Sequence, residues 1–212
     1  MSKKEEKVAR YREANKEVLP GQTVFAGSSL MEQFPIEKFL REHGDETIIY
    51  NRGVSGFVSA ELLEHIGPCI LDLRPARLFI NIGTNDLSRA EIPISQMIDT
   101  YERIVTTVEA ALPDVEIYLM AYYPVNFDAA SEEMKAKLKI RTNEKIASAN
   151  REVEKLAARH GQRYIDINAP LKDELGRLRA EYTVEGMHIN ECGYAAIYDE
   201  IMAYVHEPRW KK

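Results

Sequence analysis

Two cysteines, Cys69 and Cys192, are all that this 212-residue sequence contains, and they stand alone without any Cys-x-x-Cys spacing. A disulfide framework or zinc site is therefore not indicated, and two buried thiols in a reducing compartment are expected. Apolar runs are only strand-sized, so neither a membrane span nor stable membrane insertion is expected. The N-terminal stretch "MSKKEEKVARYREANKEV" mixes Glu with Lys and lacks the apolar segment of a signal peptide, which leaves the cytoplasm as the default location. Basic charge is in deficit. The 28 Lys and Arg against 34 Asp and Glu give a net charge of −6, which disfavours nucleic acid as a partner. Glycine-rich phosphate loops are missing, since neither G-x-G-x-x-G nor G-x-x-x-x-G-K-[ST] occurs. The G-x-S-x-G elbow is absent, and Glu185-x-x-His188 has no second copy with which to build a paired-metal site. A nucleotide-cofactor reading thus loses its main support, and so does a paired-metal one.

What is present is an alternation. Five β-rich runs, "TVFAG", "TIIYN", "ARLFINIG", "VEIYLMAYY" and "QRYIDI", are separated by stretches whose apolar residues recur at three and four. Ile94, Met97, Tyr101, Ile104, Val108 and Ala111 form one such stripe. Met134, Leu138, Ile146, Ala149, Val153 and Leu156 form another, in a helix expected over Ser131 to His160 with a polar break at Thr142. Its Lys and Arg are interleaved with Glu, which reads as a solvated face. This order predicts an α/β fold in which a five-stranded parallel sheet is covered on both faces, with residues 1–212 as one domain. A first helix, Lys3 to Glu17, should place Val8, Tyr11 and Val18 against the outside of the sheet, so that residues 1–18 form an outer N-terminal helix. Polar clusters follow the strands as "GSS", "NRGVSG", "GTND", "YPVN" and "INAP". Right-handed crossovers bring these carboxyl ends to one edge, where open α/β sheets bind ligands.

The chemistry left to those clusters is a hydroxyl and an imidazole. His43, His65, His160 and His206 sit at expected helix ends or near the C-terminus, where structural roles suffice. His188 lies in the loop "TVEGMHINECGY" beyond the last strand, from which a base can reach over the edge toward Ser29. Acyl transfer requires a nucleophile, a base, a carboxylate to orient the base, and donors for an oxyanion. Ser29 at a helix start would expose its hydroxyl and its N–H, Gly53 would offer an N–H unobstructed by a side chain, and Asn85 a side-chain amide. Each cluster also has a purely structural reading. Ser28 and Ser29 can be an N-cap pair, "NRGVSG" a glycine turn, "GTND" an Asx turn capped by Asp86, and Glu185 with His188 a surface ion pair. The catalytic reading accounts for all four together.

With these blocks the sequence resembles the SGNH, or GDSL-like, hydrolases. "FAGSSLMEQF", "NRGVSG", "GTND" and "EGMHINECGY" stand in that family's order from Phe25 to Tyr194. The resemblance is nearest to the compact type represented by platelet-activating-factor acetylhydrolases. It implies a flavodoxin-like three-layer α/β/α sandwich and a serine esterase with neither metal nor organic cofactor. Ser29 matches the nucleophile and His188 the base, while Ser29, Gly53 and Asn85 match the oxyanion donors. Two positions depart from the family pattern. Ser28 stands where Asp is common, and Glu185 stands where Asp usually orients the histidine.

The resemblance implies a small-molecule acyl ester as substrate, of short chain, such as an acetylated sugar or a lysophospholipid-like molecule. Leu30, Phe57, Val125, Phe127 and Met187, which flank the blocks, are candidate walls for the acyl group. A thioesterase or acyltransferase would use the same residues, and a non-catalytic flavodoxin-like binding module is the competing class. Relatives of this type include homodimers, so a second copy of the chain is a candidate partner, with Trp210 and Tyr204 available for contact.

Overall fold

The computed structural model describes residues 2–210. Met1, Lys211 and Lys212, which the one-domain expectation also spans, lie outside the described residues. In chain order the elements are α1 (Lys3–Ala14), β1 (Thr23–Gly27), α2 (Ser29–Glu32), α3 (Ile36–His43), β2 (Ile49–Gly53), α4 (Ser59–Glu64), α5 (Ile66–Cys69) and β3 (Arg77–Asn81). There follow α6 (Thr84–Leu87), α7 (Ile94–Ala111), β4 (Glu116–Met120), α8 (Glu132–Leu138), α9 (Asn143–Arg159), β5 (Arg163–Ile165), α10 (Glu191–Ala196) and α11 (Tyr198–His206). Every strand pairing is parallel, and the order β2-β1-β3-β4-β5 is the flavodoxin-like one.

Period-two alternation divides the core into two layers. Val24, Ala26, Leu78, Ile80, Ile117 and Leu119 point to the side where Val8 of α1, Leu62 of α4, Tyr101 of α7 and Val153 of α9 pack. Phe25, Phe79, Tyr118 and Met120 point to the other side, against Leu30 of α2, Phe39 of α3, Tyr194 of α10 and Ile201 of α11. Each such fully buried side chain contributes roughly 1.5–3 kcal/mol. The helix of α1 lies beside α5, and Tyr11 Oη donates to the carbonyl of Gly53, 2.6 Å away, at the β2 edge of the sheet.

Three expectations need correction. The first helix is α-helical only to Ala14, and Asn15–Glu17 continues as a 3-10 turn. The helix expected over Ser131 to His160 is two helices, because Thr142 takes extended backbone angles and its hydroxyl caps Lys145 N–H at 3.2 Å. The apolar stripe survives because both helices lay their buried faces on the same layer. Cys192 is exposed on the outer side of α10; only Cys69 is a buried thiol, and burial pushes its pKa up to about 12. No helix among the described residues is long and apolar enough to cross a membrane.

Candidate active site

β1 runs fully buried up to Gly27, and α2 begins two residues later. Ser28 occupies the N-cap with extended angles, yet its hydroxyl accepts no cap bond and is buried without a partner. The pair is thus not a simple capping device. Ser29 is the first helical residue, so its N–H has no intrahelical acceptor, and the residue is 9% exposed.

Across the edge, Ser29 Oγ lies 3.0 Å from His188 Nε2. His188 Nδ1 lies 2.7 Å from Glu185 Oε1, which also accepts the His188 backbone N–H at 3.1 Å. A carboxylate accepts only, so Nδ1 carries the proton and Nε2 presents its lone pair to the serine hydroxyl. The loop bearing both residues is closed on itself. Thr183 Oγ1 and Val184 N–H both donate to the His188 carbonyl at 2.9 Å, and Gly186 N–H donates to Thr183 Oγ1 at 2.8 Å. Asn126 N–H anchors Gly186 through its carbonyl at 2.8 Å, which ties the loop to the segment after β4.

The β2 end differs from expectation in detail. Gly53 N–H is committed to Asn51 Oδ1 at 3.0 Å. Its glycine is required for packing: a Cβ there would stand 2.2 Å from the backbone nitrogen of Glu32 in α2. The chain then turns through Val54–Phe57, with Phe57 N–H donating to Val54 O at 3.1 Å and Gly56 at φ 79°, the arrangement of a turn that needs glycine at its third position. Gly56 N–H makes no hydrogen bond to the described residues. Glu32 accepts the Ser55 N–H and pairs with Lys7 at 3.1 Å. Burial raises the Glu32 carboxyl, but the bonds from Ser55 and Lys7 outweigh it and hold its pKa below the usual carboxylate value.

Asn85 joins this turn from the third strand's loop, its Nδ2 donating to Phe57 O at 2.9 Å and keeping a second N–H in reserve. The neighbouring Asp86 is buried and caps α4, accepting Ser59 N–H at 3.0 Å and Ser59 Oγ at 2.7 Å. Burial raises its pKa, partly offset by those bonds.

The five apolar candidates separate. Leu30, Phe57, Val125 and Met187 are buried among the core layers, whereas Phe127 is 41% exposed. Phe127 and Val125 line a cavity of about 390 Å³ with Leu138 and Leu175. A larger cavity of about 590 Å³ lies between α1 and α3 at the β2 edge and has neither Ser29 nor His188 in its walls. His43 bonds Phe39 O, His65 stacks on Phe57, His160 bonds Glu109 and His206 bonds Asp45. Trp210 and Tyr204 both pack on Tyr118 of their own chain. The described residues contain no group of three or more His, Cys, Asp or Glu placed to hold a metal. Asn51, Glu32 and Arg141, which shape the site from behind, carry no local signal in the sequence. Arg141 in particular sits within a charge run of ordinary solvated appearance.

The profile of the GDSL-like lipase/acylhydrolase family matches residues 26–196. No curated protein matches the chain. Among solved structures, one from Streptococcus pneumonia described as a candidate platelet activating factor is 30% identical, with a TM-score of 0.85 over 96% of this chain and 92% of its own. A GDSL-like lipase from Bacteroides thetaiotaomicron is 22% identical, with a TM-score of 0.77 over 93% of this chain and 96% of its own. An acetylxylan esterase from Geobacillus stearothermophilus shares the fold at 14% identity, with a TM-score of 0.67 over 92% of this chain and 99% of its own. The chain belongs to the GDSL-like lipase/acylhydrolase family and is a hydrolase acting on ester bonds.

Proposed function

We propose that the protein is a serine esterase that cleaves short-chain acyl esters through an acyl-Ser29 intermediate. The observation that carries this reading is the continuous line from Ser29 Oγ to His188 Nε2 at 3.0 Å and from His188 Nδ1 to Glu185 at 2.7 Å. Both separations fall within the reach that proton transfer needs, about 2.6–3.2 Å. Ser29 Oγ attacks the ester carbonyl carbon while its proton moves to His188 Nε2. The tetrahedral intermediate collapses, the carbon–oxygen bond to the alcohol breaks, and Nε2 returns the proton to the leaving oxygen. Water then attacks the acyl carbon, with His188 taking its proton, and Ser29 leaves carrying that proton back. Glu185 holds the imidazole in the productive tautomer and stabilises the imidazolium.

The oxyanion donors on this reading are the Ser29 N–H, the reserve N–H of Asn85 Nδ2, and an N–H from the loop after β2. Gly56 fits the last role better than Gly53, since the Gly53 N–H is already engaged by Asn51. The structure of a phosphonate adduct at Ser29 decides between them, the donor being the N–H within about 2.7–3.1 Å of the phosphonyl oxygen.

An acetylated carbohydrate or a small lysophospholipid-like ester is the substrate class we infer, supported by the names of the acetylxylan esterase and platelet-activating-factor relatives. The test is hydrolysis of p-nitrophenyl acetate, butyrate and octanoate by wild type beside Ser29→Ala. Turnover by wild type alone, declining with chain length, is the expected result. If neither protein turns over and a fluorophosphonate leaves Ser29 unlabelled, the esterase reading is wrong and a binding module takes its place.

A further inference from the structure

We propose that Arg141 is a positioning residue of this site, its buried guanidinium fixing the backbone that presents Asn85. This inference rests on the esterase reading given above. Arg141 follows α8, in the short turn before α9, and is 2% exposed. Its Nη1 donates to Thr84 O at 3.2 Å, its Nε has no acceptor, and no carboxylate among the described residues lies within ion-pair distance.

An arginine so placed is expensive to the fold. Replacing buried charged groups with apolar side chains of similar volume is often neutral or stabilising, so stability alone does not account for a guanidinium here. Its neighbours do. Thr84 is joined by its peptide to Asn85, the proposed oxyanion donor. Glu185 is the carboxylate whose charge acts on it. Burial depresses the guanidinium pKa to about 10 against that pull, which leaves Arg141 charged at neutral pH.

The turn carrying Arg141 is held rigidly. Thr142 caps α9, and Asn143 brackets Val125 with its Oδ1 accepting Val125 N–H and its Nδ2 donating to Val125 O, both at 2.9 Å. Asn126, the next residue, anchors Gly186 beside Glu185. One turn thus braces the Asn85 loop, the β4 loop and the histidine loop.

Other charged groups on the surrounding elements have partners of their own or lie outside. Asp86 of α6 is bound by Ser59, Lys145 of α9 donates to Leu87 O, Lys137 and Glu144 of the flanking helices and Lys139 between them are exposed, and Glu32 of α2 is held by Ser55 and Lys7. His188 faces Ser29 and Glu185.

The experiment measures kcat and KM with p-nitrophenyl acetate for Arg141→Met, Arg141→Lys, Asn85→Ala and the double variants. Arg141→Met should lower kcat by about tenfold or more with KM within about threefold. Arg141→Lys keeps a donor and the charge and should lose less of kcat than Arg141→Met. In the Asn85→Ala background, Arg141→Met should cost less than about threefold, because Arg141 acts through Asn85. A folded Arg141→Met with kcat within twofold overturns the proposal, as do equal losses in both backgrounds. If Arg141→Met does not fold, the Arg141→Lys and Asn85→Ala cycle decides, and additive losses there overturn it. Wild type that neither hydrolyses ester nor labels with fluorophosphonate rejects the esterase reading itself, and Arg141's role with it.

Discussion

Ser29 and His188 stand 159 residues apart in the chain, yet their Oγ and Nε2 meet at 3.0 Å. The meeting follows from topology, since β1 ends at the sheet edge over which the loop before α10 folds. Glu185, three residues before His188, completes the line through a carboxylate oxygen shared by the imidazole and the His188 N–H.

Replacing Glu185 by Gln is expected to reduce kcat by about 10³–10⁴-fold, because the amide favours the unproductive tautomer. Circular dichroism and the thermal midpoint should change little. Full turnover by this variant would instead describe a Ser29–His188 dyad held by backbone alone.

Asn85→Ala should lower kcat by roughly a hundred- to a thousand-fold with little change in KM, as expected when one oxyanion donor is lost. Steady-state kinetics with p-nitrophenyl acetate measure it. A loss of only about twofold removes Asn85 from the mechanism and leaves its bond to Phe57 O as its whole role.

Gly53→Ala tests packing against catalysis. The added methyl would stand 2.2 Å from Glu32 N and 2.7 Å from its Cα, and neither backbone atom can move without shifting α2. A loss of about 2–3 kcal/mol in urea unfolding is expected. Unchanged stability would show that α2 retreats freely, contrary to the close approach of α2 and β2.

The Glu32 carboxylate links the Ser55 turn to Lys7, and its folded pKa lies below the unfolded value because those bonds overcome burial. A depressed carboxyl contributes stability that is present above the unfolded pKa, about 4.3, and lost as pH falls through the folded one. Glu32→Gln should therefore cost about 1 kcal/mol at neutral pH and nothing once pH is below both values. Denaturation curves at pH 7 and at successively lower pH compare the two proteins, and a difference that does not shrink as pH falls would assign the effect to packing.

Much of the architecture was legible before folding was considered. Period-two runs such as Val24-Phe25-Ala26 and the helical stripe from Ile94 to Ala111 are local patterns, and their alternation compels a parallel sheet with all carboxyl ends on one edge. Ser29 and Asn85 could be named because they sit in short polar clusters at those ends, and His188 because its loop before the last helices can reach over the same edge. The break at Thr142 was visible as one polar residue, but its meaning as a cap was masked by the stripe continuing on either side.

By itself, then, the sequence determined the strand and helix order, the edge at which chemistry gathers, and the residues competent for it, since these depend on neighbours three or four positions away at most. Only the tertiary structure decided that Gly53 spends its N–H on Asn51 and its missing side chain on α2, that Leu30, Phe57, Val125 and Met187 belong to the core, and that Arg141 is buried behind the site. Those facts arise from segments far apart in the chain coming into contact, where burial and the available partner fix what a residue does, and no local periodicity encodes either.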